Sequence, residues 1–290
     1  MNLGDKPAFN GLSVDALLER AEEVILHREQ SKSAPALNLP PDQKLRVGVD
    51  LGTAYLVLVV LDEDGIPLAG EWQFAQVAKD GLVVDFVGAT DLLKGMKQNV
   101  ERRLGRQLTH AASGYPPGVP QTEVRATAYV VEAAGMECTG LIDEPSAANN
   151  VLRLPEGVIV DVGGGTTGIA LIQDGEVVFT ADEATGGTHF SLVIAGSLGI
   201  TFEEAEDLKT RAEEQARLLP VVRPVMEKVA SITSRQLNGQ KASSLTLVGG
   251  SSAFAGMARV VEEYSGIPTQ VPHNPVFITP MGIALHDELS

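Results

Sequence analysis

Apolar residues recur along the chain with two periods, and the switch between them marks its elements. After Ser13, a helix-capping residue type, Val14, Leu17, Leu18, Ala21, Val24 and Ile25 fall at i, i+3, i+4, i+7, i+10 and i+11. That spacing predicts a helix through about Glu29 with one apolar stripe on an otherwise charged surface. "SKSAPALNLPPDQK" (Ser31–Lys44) then carries three prolines and no helical period, as an extended linker does. The stripe has two readings, a helix packed on its own globular body or a tethered helix that docks on another protein.

From Leu45 the period shortens. "LRVGVDLGTAYLVLVVLDEDG" (Leu45–Gly65) and "EGVIVDVGGGTTGIALIQDG" (Glu156–Gly175) share one order of parts. In each, a β-branched run ends at an aspartate (Asp50, Asp161) and is followed by a Gly/Thr turn. A second apolar run and an Asp-Gly hairpin signal complete the unit. Helical periods follow each sheet signal: Asp91–Leu104, Gln121–Ala134 and Pro145–Leu152 in the first half, the last with proline at its first position. In the second half they are Thr201–Leu219, Val225–Leu237, Ala253–Tyr264 and Pro280–Glu288, with Leu245–Val248 as a strand. The pattern predicts an α/β protein built from an internal repeat. Its expected parts are an N-terminal segment 1–44, a lobe 45–154 to which helix 276–290 returns, and a lobe 155–275.

Composition narrows the chemistry. With 290 residues, 44% of them hydrophobic, the chain can bury two ordinary cores. No apolar run approaches the roughly 18 residues of a membrane span, and the first residues show no secretory start. Cys138 is the only cysteine, which rules out an internal disulfide and fits a cytoplasmic location. A net charge of −16 argues against nucleic acid and anionic membranes as partners, so a phosphorylated ligand has to be held by backbone amides and a metal ion. The histidines His27, His110, His189, His273 and His286 have no metal-ligand spacing.

"VIVDVGGGTTGIALI" (Val158–Ile172) formally contains G-x-G-x-x-G. A dinucleotide fingerprint requires a helix to start at those glycines. Here a β-branched strand follows instead, and no lysine completes a Walker A loop. What remains is a strand–turn–strand hairpin whose glycine-rich tip can turn amides toward an anion. One such hairpin is an ordinary turn; two, each preceded by an acid, point to a polyphosphate gripped with Mg²⁺.

"VGVDLGT" and "VIVDVGGGTTGIALI" resemble the two phosphate motifs of the actin/DnaK/sugar-kinase ATPase superfamily. "LIDEPSAANNVL" (Leu141–Leu152) and "PVFITPMGIAL" (Pro275–Leu285) resemble its two connecting motifs, and "LTLVGGSSAFAGM" (Leu245–Met257) its adenosine motif. All five stand in family order, and the stretch before Leu141 is DnaK-like. The compact size and "DEATGGTHFSLVIAGSLGITFEEAEDLK" are similar to an ethanolamine-utilisation branch of that superfamily.

The resemblance implies two RNase H-like, actin-like ATPase lobes with a nucleotide cleft between them and no substrate-binding β-sandwich. It implies ATP or ADP and Mg²⁺ as cofactors, Asp50 and Asp161 holding the metal through water. Phosphates would lie on Gly52, Thr53, Gly163, Gly164, Gly165, Thr166 and Thr167. Adenosine would lie against Gly249, Gly250 and Ser251, with Glu206 and Lys209 as the adenine and ribose clamp. Glu144 is the implied base for an attacking water, fixed by Pro145, which holds it extended and starts a helix. Ala147, Ala148, Gly282 and Ala284 would let the connecting helices cross and hinge. No lysine aligns with the chaperones' γ-phosphate lysine, although Lys94 and Lys97 lie nearby.

The implied activity is that of a chaperone-like ATPase of low turnover acting on a protein client, an ethanolamine-pathway enzyme or a microcompartment shell protein. A non-hydrolysing scaffold or actin-like filament, and a small-molecule kinase, are the alternatives. Within this picture the N-terminal stripe resembles the terminal peptides that recruit cargo to microcompartments.

Overall fold

The computed structural model describes residues 9–26, 37, 39–40, 42–79 and 81–288. The chain divides into two compact units, residues Met1–Arg153 with Phe277–Ser290, and Leu154–Val276.

The first unit is built on a five-stranded sheet. Strands β1 (Leu45–Leu51), β2 (Tyr55–Asp62) and β3 (Pro67–Phe74) form an antiparallel meander, and β6 (His110–Tyr115) and β7 (Glu137–Asp143) add in parallel, giving the order β3-β2-β1-β6-β7. Two short strands, β4 (Ala78–Lys79) and β5 (Leu82–Val83), pair apart from it. The β2–β3 turn is closed by the Asp62 carboxylate, which accepts from the amides of Asp64 (3.0 Å) and Ile66 (2.8 Å), with Gly65 at φ +85°. Helices α2 (Phe86–Leu104) and α3 (Gln121–Ala133) cover the sheet, burying Leu93, Met96, Val100 and Val130 against Val47, Val49 and Leu58. Helix α2 starts earlier than its apolar period because Asp85 caps it, accepting from the amide of Gly88 at 2.9 Å.

Helix α1 (Val14–Leu26) carries all six stripe residues buried, with Leu17, Leu18 and Ala21 fully so. Ile25 lies where a Cβ on Gly70 of β3 would come within 2.6 Å of it. Arg103 of α2 donates to the carbonyls of both Gly70 (2.7 Å) and Val24 (2.6 Å), tying the helix end to the sheet edge. The free docking helix is therefore corrected: the stripe is part of the first unit's packing. The expected extension to Glu29 and most of the linker lie outside the described residues.

The second unit repeats the arrangement. Strands β8 (Gly157–Val162), β9 (Thr167–Gln173) and β10 (Glu176–Glu183) form the meander, and β11 (Leu245–Val248) and β12 (Thr269–Gln270) continue in parallel, in the order β10-β9-β8-β11-β12. Helices α5 (Gly187–Leu198), α6 (Phe202–Thr210), α7 (Ala212–Leu237) and α8 (Met257–Ser265) supply its core with Phe190, Ile194, Met226, Val229 and Val260. The helix boundaries differ from the sequence period. The break falls at Arg211, whose backbone is extended, rather than before Pro220. Helix α7 runs through Pro220 and Pro224 because both face solvent, where water can satisfy the carbonyls each proline leaves unbonded. The side-chain Nε2 of Gln215 donates to the carbonyl of Lys209 at 3.3 Å, across the Arg211 break.

Candidate functional site

Asp50 and Asp161 occupy matching places. Each is the penultimate residue of the first strand of its meander, paired with Val57 and Gly168 respectively. In the first unit Asp50 is half-buried, and the turn Gly52-Thr53-Ala54 follows. A Cβ on Gly52 would stand 2.8 Å from the carbonyl of Tyr55, so only glycine closes this turn. The turn is backed by aromatic rings: Tyr55 stacks on Trp72 at 4.3 Å and meets Phe74 edge-on at 5.6 Å.

In the second unit Asp161 is 5% exposed. Residue Val248 pairs with it across β11, and the next residue, Gly249, turns at φ +83° directly over the carboxylate. A Cβ there would lie 2.3 Å from Asp161 Oδ1. The glycine tip is held from its carbonyl side. Gly187 and Thr188, at the start of α5, donate to the carbonyls of Gly163 (2.9 Å) and Gly164 (2.8 Å), and Ser251 Oγ donates to Gly163 at 2.8 Å. The N-terminal amides of α5 are thereby used internally. Among the described residues, the amides of Gly164, Gly165 and Thr166 donate no hydrogen bond, and neither do those of Gly52 and Thr53. Thr167 differs: it is fully buried and its hydroxyl donates to the carbonyl of Thr185 at 2.6 Å, so its side chain supports the hairpin.

Glu206 and Lys209 form an ion pair at 2.7 Å, with side chains 13% and 12% exposed. Lys209 Nζ also donates to the carbonyl of Gly187 at 3.1 Å, which brings the pair to the base of the glycine tip. Burial pulls the Lys209 ammonium below its ordinary range, and the Glu206 charge works against that fall. Gly250 and Ser251 open a short 3₁₀ turn after β11. His189 is the third residue of α5 and accepts from the amide of Gly186 through Nδ1 at 3.3 Å.

Glu144 begins α4 (Glu144–Leu152), with Pro145 next and Asp143 capping the helix through a bond from the amide of Ser146 at 3.1 Å. Its Cγ stands 3.6 Å from where a Cβ on Gly114, in the neighbouring β6, would be. The helix then crosses α9 (Ile278–His286) at backbone contact. A Cβ on Gly282 would fall 1.8 Å from the carbonyl of Ala147, and one on Gly48 would be 2.6 Å from the amide of Ala284. Ala147, Ala148 and Ala284 are fully buried in the same region, and Asn150 donates to the carbonyl of Gly282 at 3.1 Å. Lys97 pairs with Glu101 on its own helix at 2.6 Å, a structural use, and Lys94 is exposed. Cys138 has its thiol pushed up by burial and is no activated nucleophile.

Among the described residues no group of three or more His, Cys, Asp or Glu side chains forms a metal cage. Reading the sequence missed Ser191, which bonds Glu206 and has no motif of its own, and the Asp143 cap, which "DEPS" announces.

A family model described as MreB/Mbl protein matches residues 70–210, and one described as Cell division protein FtsA matches residues 158–282. The Ethanolamine utilization protein EutJ of Escherichia coli (strain K12) is 41% identical over 244 residues, covering 84% of this chain and 86% of that protein. The chain belongs to the EutJ family. The crystal structure of EutJ from Carboxydothermus hydrogenoformans superposes with a TM-score of 0.86 at 43% identity, over 94% of this chain and 97% of that one. MreB5 of Spiroplasma citri, in a structure bound to ADP, shares the fold with a TM-score of 0.66 at 19% identity, over 83% of this chain and 95% of that one. Chaperone protein dnaK3 of Synechocystis sp. is 26% identical over 51% of this chain and 21% of its own length. The EutJ family thus has the actin-like ATPase fold, with two sheet lobes of one topology. No helix among the described residues is long and apolar enough to cross a membrane.

Proposed function

We propose that this EutJ family member binds Mg-ATP and Mg-ADP, hydrolyses ATP slowly, and uses the nucleotide to act on a protein client of ethanolamine utilisation. The observation that carries this reading is the matched pair of hairpins, each with an aspartate at its strand end and unbonded amides at its tip. Amides at a hairpin tip that no protein acceptor takes up are donors a phosphate can bind. Gly249 leaves the Asp161 carboxylate a cradle that any Cβ would fill. Asp50 and Asp161, at matching strand ends of the two units, are the carboxylates that would hold a hydrated Mg²⁺ through water. When bound, the ion neutralises phosphate charge that a chain of net charge −16 otherwise repels.

The chain's own residues do the rest. Gly52, Thr53, Gly164, Gly165 and Thr166 orient the phosphates, Gly163 anchors the tip, and the adenosine lies against Gly249, Gly250 and Ser251 with Glu206 and Lys209 beside it. Glu144 orients and deprotonates the attacking water, its direction fixed by the Asp143 cap and Pro145. The crossing of α4 and α9 serves as the hinge. That the EutJ relatives are named for ethanolamine utilization supports a client in that pathway, an enzyme or a microcompartment shell protein. The matches to MreB/Mbl and FtsA models favour, as a second reading, a nucleotide-dependent scaffold or filament without turnover.

Calorimetry with ADP and ATP, with Mg²⁺ and then with EDTA, tests the proposal alongside a single-turnover assay and light scattering. Binding weakened by EDTA and by Asp161→Asn is expected. Glu144→Ala is expected to keep its affinity and lose about 10²-fold in turnover. No adenine-nucleotide binding at any Mg²⁺ level overturns the reading, and assembly without hydrolysis favours the scaffold.

A further inference from the structure

The Glu206–Lys209 pair is not held by its two partners alone. Ser191 lies one turn along α5 from Gly187, is fully buried, and has its Oγ 2.5 Å from Glu206 Oε2. The same oxygen of Glu206 accepts from Lys209 Nζ at 2.7 Å. Ser191 Oγ also stands 3.3 Å from the carbonyl of Gly187, the group that receives the second Lys209 bond. A serine hydroxyl has one proton, and the short, charge-assisted contact to the carboxylate takes it.

The consequence is an uneven use of the carboxylate. Oε2 receives both internal donors, whereas Oε1 accepts from no described residue. Lys209 has three N–H donors, and two are placed, on Glu206 and Gly187. Glu206 thus keeps one acceptor oxygen and Lys209 one donor that no described residue takes up. A hydroxyl, which gives and takes one hydrogen bond at once, matches that set; a phosphate does not, because Glu206 repels it. On a nucleotide the hydroxyls are those of the sugar. The base of the clamp is also tied to the phosphate tip, since Gly187 donates to Gly163 and Ser251 bonds the same carbonyl.

We propose that Ser191 is a positioning residue for nucleotide recognition: by holding Glu206 Oε2 it turns Oε1 and the remaining Lys209 proton toward a sugar hydroxyl, so that it sets the preference for ribose over deoxyribose. The inference rests on the nucleotide-binding reading above. Without Ser191 the carboxylate keeps its ion pair but is free to rotate about it, and the hydroxyl is read less sharply.

The test is calorimetry on the full chain with ADP, 2′-deoxy-ADP and 3′-deoxy-ADP, for wild type, Ser191→Ala and Ser191→Cys. Wild type is expected to lose about 10-fold in affinity for the analogue that lacks the contacted hydroxyl, as for one hydrogen bond to a charged group. In Ser191→Ala that ratio should fall toward one while binding of ADP persists. Ser191→Cys, with its weaker donor, should lie between. A general loosening of the fold would weaken all three ligands alike and leave the ratio unmoved. Equal discrimination in wild type and Ser191→Ala overturns the role of Ser191 alone, as does a wild type that binds ADP and both analogues equally. A wild type that binds none of them overturns the nucleotide reading, and this inference with it. Circular dichroism confirms that each variant is folded before its ratio is read.

Discussion

The outer strands β3 and β10 hold the same position in two sheets of the same order, yet their surroundings differ. In β3 most residues up to Glu71 are buried, because α1 lies on it with Leu17, Leu18 and Ile25 inward. No residue of β10 is buried, and Val178, at a bulge between Val177 and Phe179, is 51% exposed. From the helices, Arg235 and Gln236 of α7 bond Glu183 at its end. The repeat supplies topology, and the segment before the repeat supplies asymmetry. A half-buried outer strand tolerates polar neighbours, whereas one that faces an apolar helix depends on it. The two glycine turns differ in the same spirit. One is backed by the Tyr55, Trp72 and Phe74 rings, the other by hydrogen bonds from α5 and Ser251.

The largest expected effect breaks the first contrast. Leu18→Glu puts a carboxylate into a site with no exposure, and it should cost about 4 kcal/mol or more in chemical denaturation. Val178→Glu on β10 should stay within about 0.5 kcal/mol of wild type. Equal losses would mean that α1 adds nothing specific to the first unit. Next comes the glycine tip. Gly186→Ala sets a Cβ 2.7 Å from the carbonyl of Gly163 and 2.9 Å from that of Gly164, both backbone, and should cost about 1–3 kcal/mol. Gly163→Ala, whose Cβ would find its nearest neighbour at 3.6 Å, should be close to neutral. A reversed order in thermal melts would show that the tip is not held from the α5 side.

The smallest effect is a pH dependence confined to the first unit. His110 bonds the carboxylate of Asp287, which also accepts from the amide of Val47 at 2.8 Å and from Thr139. The Asp287 hydrogen bond raises the His110 pKa above its ordinary 6.5, against the lowering pull of burial. A raised folded pKa means stability that is fully present below the unfolded value and lost as pH rises through the folded one. The stability gap between wild type and His110→Gln should therefore narrow from mildly acidic toward alkaline pH. A gap that widens would contradict the assignment.

Much of this was legible from the chain. The two aspartates, the Gly/Thr turns and the Asp-Gly hairpins announce the repeat, and Leu245–Val248 falls where its period puts it. The stripe of α1 was also readable, but its partner was not, because a helix's apolar face says that it is buried and not against what. Pro220 suggested a helix end, yet exposure of the proline lets α7 continue, and exposure is a tertiary property. Glu206 and Lys209 carry a motif; Ser191 does not, since its contact depends on how α5 and α6 pack. The exposed or buried state of Thr167 was likewise invisible in "GGGTTG", where one threonine follows the other.

The central proposal is that the glycine tip of each unit binds phosphate oxygens of a nucleotide. Amide hydrogen exchange on the full chain, with and without Mg-ADP, tests it most directly. The account predicts slowed exchange at Gly52–Thr53 and Gly164–Thr166 together, with the exposed tip of β10 around Val178 unchanged. Binding that protects neither tip, or that protects β10 in their place, would contradict it.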